Sequence, residues 1–520
     1  KFTFNELEDV LHGIYLVKER TPRTLDYIMS FGERLSAYII TEAMNDQGLD
    51  SEFLDARTVV RTDSNFGYAR VDFETTNRLI RKHFASHPQV QVITGFIGAS
   101  ASGETTTLGR SGSDYTAAIF AGALQATDLE IWTDVDGMMT ADPRKVKKAF
   151  TVQEMTYEEA MELSHFGAKV IFPATMQPAM INRIPIWIKN TFNPSFTGTV
   201  ISEKSNAKNL IIKGISSVDK VSLLNVQGSG LVGVVGVSMR LFGALAKENI
   251  NVILISQASS EHSICFAVET NKRQLAQEAI DREFQYEIRS QEMDPVKVED
   301  HLAIVAIVGE NMKHNPGTSG RMFSALGKSG ININAIAQGS SELNISAVIH
   351  QQDIAKALNV LHEAFFLSDR KVLNVFLVGT GLIGKSLLVM IDKQFKQLAE
   401  QNHLEIQVVG IANTRKMLFD ETGLKLNEAV QRMSAEGEAM NLNTFVGTML
   451  GMNLSNSVFV DCTSSEAVTD HYETILSSNI SIVTPNKKAN SGTLEKYHLL
   501  KQAAQKRGVR FLYETNVGAG

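Results

Sequence analysis

One segment of the chain occurs twice. Ile250-Asn251-Val252-Ile253-Leu254-Ile255-Ser256-Gln257-Ala258-Ser259-Ser260-Glu261 aligns with Ile331-Asn332-Ile333-Asn334-Ala335-Ile336-Ala337-Gln338-Gly339-Ser340-Ser341-Glu342. Each copy follows an amphipathic helix, expected over residues 238–248 and 320–329, and precedes a β-rich run, 263–268 and 344–349. A strand is expected before each helix as well, at 221–226 and 302–308. Two copies of strand–helix–strand–strand, each with room for a further helix and strand, predict a pair of small α+β modules over residues 215–296 and 297–369. Two copies are too few for a solenoid.

The repeat lies between two regions of another kind. Residues 1–205 alternate short β-rich runs such as 90–93 with helical stretches such as 114–124, the pattern of an α/β fold with a largely parallel sheet. The polar stretch 203–209 reads as a linker. Residues 370–520 open with a strand at 373–378 and continue with buried-type strands at 406–411, 457–460, 481–483 and 510–513, separated by helical segments. A chain of 520 residues is too long for one hydrophobic core, and three or four domains follow. A net charge of −7 speaks against a nucleic-acid partner, which calls for a basic footprint. No apolar run is long enough to cross a bilayer, and the first residues do not show the basic-then-apolar pattern of a signal segment. The two cysteines, Cys265 and Cys462, lack metal-ligand spacing, so a reducing, cytoplasmic setting is expected.

The third region carries a nucleotide-binding pattern. Gly379-Thr380-Gly381-Leu382-Ile383-Gly384 follows a strand and opens a helix near Lys385. The first glycine permits the tight turn, the second lets a pyrophosphate approach the backbone, and the third allows close helix–strand packing. After the next strand comes Ala412-Asn413-Thr414-Arg415. An arginine there, where an acidic residue would hold the ribose of NAD, favours NADP(H). Asp461-Cys462-Thr463-Ser464, Thr484-Pro485-Asn486-Lys487-Lys488 and the stretch 513–520 all follow strands, where open α/β sheets place ligands.

The first region carries a phosphate-binding pattern of another type. Gly95-Phe96-Ile97-Gly98 follows a strand, and Thr105-Thr106-Thr107-Leu108-Gly109-Arg110-Ser111-Gly112-Ser113-Asp114 leads into a helix. Small hydroxyl and glycine residues before a helix can cradle phosphate through backbone N–H groups. An arginine among them can grip a carboxylate with two bonds. Neither a P-loop nor the protein-kinase motif set is present. Further on stand Trp132-Thr133-Asp134-Val135-Asp136-Gly137, Thr140-Ala141-Asp142-Pro143-Arg144 and Phe166-Gly167-Ala168-Lys169-Val170.

Together with Ser30-Phe31-Gly32-Glu33-Arg34, these segments resemble aspartokinases of the amino-acid kinase fold. The repeat resembles paired ACT domains, and the third region resembles the Rossmann domain of homoserine dehydrogenase. The order of the three is that of the threonine-sensitive bifunctional aspartokinase–homoserine dehydrogenase family. The resemblance implies that Glu33 and Arg110 hold the amino and carboxylate groups of L-aspartate, with Ser30, Phe96, Ser113 and Asp114 around them and Arg110 and Asp114 in catalysis. Thr133, Asp134, Arg144, Lys169 and Val170 would border ATP with its Mg²⁺. In the third region it implies NADP(H) on Gly379, Gly381, Leu382, Ile383, Gly384, Arg415, Thr463 and Lys487, with Lys487 catalytic on L-homoserine. Glu514, Val517 and Ala519 would hold Na⁺ or K⁺. Gln257 and Gln338, with Asn251 and Asn332, would bind threonine, and a dimer or tetramer is expected.

Other roles stay open for single residues. Asp134 could cap a turn, Arg144 could pair with Asp142, Phe96 could be core, and Arg415, Lys487 and both glutamines could be plain surface groups. The chain begins at Lys1 and ends on Gly518-Ala519-Gly520, which reads as mid-loop. The family's opening K-F-G-G-[TS] strand and the dehydrogenase's substrate region are therefore expected outside it. A catalytically incomplete regulatory or assembly fragment that binds threonine is the alternative.

Overall fold

The computed structural model of the protein describes residues 2–167, 170–205, 210–231, 234–257, 263–366, 371–402 and 404–514. The chain forms two compact units. One comprises residues 1–142, 149–216 and 308–311, the other 143–148, 217–307 and 312–520.

The first unit opens with two helices that carry no strong sequence signal, Phe2–Val17 and Pro22–Asp46. Thr21 caps the second by accepting the Thr24 N–H at 3.2 Å, with Pro22 in the first turn. Asp26, Ser30, Phe31, Ala37 and Thr41 form its buried stripe. Asp26 is a buried carboxylate with three donors. Its Oδ2 accepts the N–H groups of Gly67 (2.8 Å) and Thr107 (2.9 Å), and its Oδ1 the Thr107 hydroxyl (2.8 Å). These bonds fasten the helix to the strand Thr105–Thr107.

In place of one largely parallel sheet the first unit has three small ones. Ser51–Leu54 pairs with Val90–Ile93; Ile97–Ser100 lies between Arg61–Thr62 and Thr105–Thr107; and the third runs Leu129–Thr133, Ile186–Asn190, Thr199–Ser202, Glu154–Thr156. Parallel pairs predominate, with antiparallel ones at Ile97–Ser100/Thr105–Thr107 and Ile186–Asn190/Thr199–Ser202. The break between the first two sheets has a local cause. Phe96 adopts φ +66°, a left-handed conformation that ends one strand and starts the next in a new direction. The helix Gly112–Leu124 is buried nearly all round. Ala118 and Ala121 face a core with Met155, Tyr157, Ile186 and Val308, and Ile119 and Phe120 face another with Val60, Ile80 and Ile97.

The helix Tyr157–His165 begins with a capping box, Thr156 accepting the Glu159 N–H while Glu159 Oε2 accepts the Thr156 N–H at 2.9 Å. The other oxygen of Glu159 accepts the Glu310 N–H at 2.9 Å. Lys213, equally buried, donates to the Glu154 carbonyl (3.1 Å) and Ser205 hydroxyl (2.9 Å), and its backbone N–H donates to the Val308 carbonyl. Burial pushes the Glu159 carboxyl pKa up and the Lys213 ammonium pKa down, and each charge partly restores the other.

In the second unit the two repeats share one six-stranded sheet. Its order is Leu254–Gln257, Ser263–Glu269, Gly214–Gln227, Lys297–Val308, Asn344–His350, Ala335–Gln338, so the long first strands of the two copies are neighbours at the centre. The helices Val237–Lys247 and Thr318–Lys328 occupy matching places in the two copies. A seven-stranded sheet follows, ordered Glu438–Ala439, Lys416–Phe419, Leu404–Ala412, Lys371–Val378, Ser457–Asp461, Ser481–Thr484, Phe511–Tyr513. The last five are mutually parallel, Lys416–Phe419 runs antiparallel to them, and Glu438–Ala439 pairs antiparallel with Lys416–Phe419.

Glu363, on the helix Ile354–Phe366, accepts the Val372 N–H (2.9 Å) and the Asn456 amide (3.2 Å), which ties the second repeat to the start of the larger sheet. The adjacent His362 is buried, and burial with the nearby Lys148 charge pushes its pKa down to about 4.

Two predictions follow from these buried groups. Glu159→Ala leaves two buried N–H donors without their acceptor and takes the opposing charge from the buried Lys213 ammonium, and should cost about 3 kcal/mol, read as a lowered urea midpoint of the first unit. For His362, the unfolded chain takes up a proton near pH 6.5 and the folded one near pH 4. Stability is therefore lost as pH falls through that window, by up to about 3 kcal/mol. Thermal unfolding of His362→Phe should depend less on pH between 6.5 and 4 than that of the parent.

Candidate functional site

The strand Lys371–Val378 lies between Leu404–Ala412 and Ser457–Asp461, so chain order reverses at its carboxyl end. The glycine turn after it opens at this switch point, where α/β sheets bind ligands. The three glycines answer to different constraints. Gly379 has φ +99°, and a Cβ there would lie 2.8 Å from the Cys462 carbonyl. A Cβ on Gly384 would meet the Gly379 carbonyl oxygen at 2.0 Å. Outside Gly381 nothing lies within 4 Å. The backbone there is open to an approaching group, and Gly381 begins the helix Leu382–Gln401 without a side-chain cap. The unpaired N–H groups and positive end of that helix suit a pyrophosphate. Leu382 and Ile383 flank the opening with exposed side chains.

Arg415 belongs to the turn between Leu404–Ala412 and Lys416–Phe419. The Asn413 side chain accepts the N–H groups of Arg415 and Lys416, both at 2.8 Å, and Arg415 itself is exposed.

A buried polar network that the sequence reading missed shapes the next two loops. Asp461 accepts the Thr463 N–H (2.7 Å), the Tyr472 hydroxyl (2.7 Å) and the Asn486 amide (2.8 Å). Thr484 donates to the Asp461 carbonyl (2.9 Å) and accepts the Asn486 N–H (2.8 Å). Asn486 also donates to the Ser465 carbonyl at 2.9 Å. Burial and the Asp461 charge hold the Tyr472 phenol far above its ordinary pKa and push the Cys462 thiol up to about 11, so both stay protonated. The network fixes Thr463 and leaves Lys487 exposed at the tip of its loop. Both amide atoms of Asn490, beside that tip, are buried without a hydrogen-bond partner among the described residues. Glu514 is exposed after the last strand; Val517 and Ala519 lie outside the described residues.

In the first unit, Glu33 Oε2 accepts the Gly95 N–H at 3.2 Å, and burial raises its carboxyl pKa in spite of that bond. A Cβ on Gly95 would come 3.0 Å from Ser113, and one on Gly112 would lie 2.6 Å from the Phe96 ring. Glu33, Phe96, Ser113 and Asp114 therefore gather around the first turn of the helix Gly112–Leu124. Ser111, at φ +54°, turns the chain into that helix and makes no side-chain cap. Burial raises the Asp114 carboxyl pKa. Ser30 is buried and donates to the Tyr27 carbonyl at 2.6 Å, so its hydroxyl is engaged within its own helix. Arg110 is exposed, its guanidinium 5.9 Å from the Phe172 ring. Thr133 ends the strand Leu129–Thr133 and donates to Asp134 at 3.2 Å. Val170 is half-buried, Arg144 is exposed, and Lys169 lies outside the described residues.

Gln257 and Gln338 are the last residues of the strands Leu254–Gln257 and Ala335–Gln338, paired in the same register with Ile264 and Ile345. These strands stand at opposite ends of the hydrogen-bonded order yet lie against each other. Both glutamines are exposed, as are Asn251 and Asn332, and Gln338 accepts the Ser319 hydroxyl at 3.4 Å.

The chain matches the amino acid kinase family over residues 5–190, the ACT domain over 224–284 and 305–365, and the NAD-binding domain of homoserine dehydrogenase over 379–514. Its structure is similar to that of E. coli aspartokinase III in complex with aspartate and ADP, at 30% identity and a TM-score of 0.60, over 70% of this chain and 81% of that one. The chain belongs to the aspartokinase family. Its similarity extends past the kinase and ACT parts to bifunctional relatives. It is 38% identical to bifunctional aspartokinase/homoserine dehydrogenase 1, chloroplastic, of Arabidopsis thaliana over 99% of this chain, and 40% identical to the bifunctional aspartokinase/homoserine dehydrogenase of Haemophilus influenzae over 94%. It spans 57% and 60% of those two proteins. The chain thus joins an amino acid kinase domain and paired ACT domains to an NAD-binding domain of the homoserine dehydrogenase type. Among the described residues no helix is long and apolar enough to cross a membrane.

The glycine geometry predicts different outcomes at neighbouring positions. Gly384→Ala forces a backbone collision and should abolish or severely impair folding of the nucleotide-binding domain, seen as early loss of its thermal transition. Gly381→Ala meets open space and should keep the fold while weakening binding of a reduced nicotinamide dinucleotide about tenfold or more, measured by the nucleotide's fluorescence.

Proposed function

We propose that the chain is the kinase, sensing and nucleotide-binding part of a bifunctional enzyme of the aspartate pathway to threonine and methionine. One site transfers phosphate from ATP to L-aspartate, giving 4-phospho-L-aspartate. The other interconverts L-homoserine and L-aspartate 4-semialdehyde with NADP(H). The gathering of Glu33, Phe96, Ser113 and Asp114 around an uncapped helix start is the observation that carries the kinase reading.

In this reading the Glu33 carboxylate receives the ammonium of aspartate, and that second partner favours its charged form against burial. The Arg110 guanidinium binds the α-carboxylate with two parallel bonds. The helix start and its Ser113 and Asp114 then orient the side-chain carboxylate that attacks phosphorus. Thr133, Asp134, Arg144, Lys169 and Val170 border ATP, and Mg²⁺ supplies charge neutralisation on its phosphates.

For the dehydrogenase, the open backbone at Gly381 supports a pyrophosphate there, and the exposed Arg415 suits the 2′-phosphate of NADP. Lys487, held out by the Asp461 network, acts on the hydroxyl or carbonyl oxygen of the substrate, and Thr463 adjoins the nicotinamide. A monovalent cation would be held near Glu514, Val517 and Ala519. Domain bounds of 1–205, 215–296, 297–369 and 370–520 accompany this assignment.

Threonine is the proposed effector, bound near Gln257 and Gln338 with Asn251 and Asn332 at matching places in the two copies. It inhibits by binding a low-activity arrangement better than the active one. Exposed Ile255 and Ile336 on the same strands suit burial against a second copy, in a dimer or tetramer.

Aspartate-dependent ADP release tests the kinase: Arg110→Ala should lower kcat/KM about 100-fold or more with the fold intact. Gln257→Ala with Gln338→Ala should relieve threonine inhibition and leave the uninhibited rate unchanged. Unchanged kinetics in both variants would refute the site assignments. Threonine binding with neither activity would identify a regulatory piece instead.

A further inference from the structure

We propose that Glu52, His83 and His87 bind a divalent transition-metal ion, with Zn²⁺ the ion that this donor set suits. Glu52 lies on the strand Ser51–Leu54, His83 in the last turn of the helix Phe73–Phe84, and His87 just beyond its end. One ligand atom from each lies within 4.8 Å of the others, and all three residues are half-buried, open enough for an ion to enter. Two imidazoles and a carboxylate form a known zinc donor set that leaves a fourth position for water.

The hydrogen bonds around the cluster already have the form of a metal site's outer shell. His87 Nδ1 lies 2.8 Å from the His83 carbonyl, which can only accept, so Nδ1 carries the proton. The Nε2 of a neutral His87 is then a lone pair, and it faces Glu52 Oε1 at 3.7 Å. Two electron-rich atoms oppose each other across a gap too long for a hydrogen bond unless a cation lies between them. Tetrahedral zinc with bonds of about 2.0–2.1 Å separates its ligands by about 3.3 Å, close to that gap. Gln91, paired across the sheet with Glu52, donates to Glu52 Oε2 (2.9 Å) and to the Gln89 carbonyl (3.3 Å), which steadies the carboxylate. Its Oε1 faces His83 Nε2 at 2.9 Å. The two imidazoles are stacked, 4.0 Å apart and 7° from parallel. Ligation by His83 exchanges the Gln91 bond for the metal and moves the ring proton to Nδ1, with a modest turn of a half-exposed ring.

The site clamps the end of one helix to the first strand of the sheet whose partner, Val90–Ile93, runs directly into Gly95 and Phe96. Its effect is on stability and order there, and it is independent of which reaction the kinase region performs.

The test is calorimetric titration of the metal-free chain with Zn²⁺, beside His87→Ala, Glu52→Gln and Gln91→Ala, with Co²⁺ absorption reporting histidine ligation. We expect the parent to bind one more Zn²⁺ than His87→Ala and to gain several degrees of thermal midpoint that Mg²⁺ does not give. Glu52→Gln, which keeps the side-chain shape, should lose most of the affinity, and Gln91→Ala should weaken it about 10- to 100-fold. Equal Zn²⁺ stoichiometry and affinity in parent and variants would overturn the site. So would a midpoint that responds to pH through His87 but not to Zn²⁺, since a proton would then be the cation in the gap.

Discussion

The buried carboxylate of Glu159 joins segments that are far apart in the chain. One oxygen closes the start of its own helix, and the other holds the backbone of Glu310, while the buried ammonium of Lys213 supplies the opposing charge. A carboxylate in such a place is tolerable only when fully bonded, so the geometry of all three segments is tightly determined. Lys213 then aligns with Val308 through backbone bonding, and Val308 completes the core beneath the kinase sheet. The strand Leu129–Thr133, whose end carries Thr133 and Asp134, packs on that same core through Leu129 and Ile131. Positions argued to border a nucleotide thus rest on a charge pair remote from them in sequence.

Periodic and local features were legible in the sequence. The duplicated segment foretold two matching halves, and both glutamines end equivalent strands in the same register. The strand before Gly379 and the helix after it follow from a motif whose spacing has a steric meaning, confirmed by the backbone collisions that a side chain at 379 or 384 would cause. What was not legible depends on long-range pairing. That the halves share one sheet is decided by which long strands meet at its centre, and no local pattern encodes that choice. Asp461, Tyr472, Thr484 and Asn486 are spread over 26 positions, and each alone reads as an ordinary strand-end, helix or loop residue. The break between the first two sheets of the kinase region turns on the left-handed backbone of Phe96, a conformation that an aromatic residue rarely signals.

The two phosphate-binding candidates solve one electrostatic problem in different ways. Each offers the start of a helix without a side-chain cap, which leaves backbone donors for an anion. At Gly381 the approach is cleared by absent side chains, the design suited to a long diphosphate lying along the backbone. Around Ser113 the helix start is instead walled by Glu33, Phe96 and Asp114, which suits a small polar substrate recognised on several sides. Aspartate and a dinucleotide differ in this sense.

The composition of the first unit also bears on how the chain folds during synthesis. Its last contiguous segment ends at Ser216, yet its core is completed by Val308–Asn311, about a hundred residues later. At roughly 5–20 residues per second, a ribosome needs on the order of 5–20 s to supply them. Through that interval the nascent kinase region exposes the patch that Val308 will cover and the acceptor that Glu310 will fill. Chaperone capture, and any misfolding that competes with it, should therefore concentrate while the first repeat is being made, before the kinase region can close.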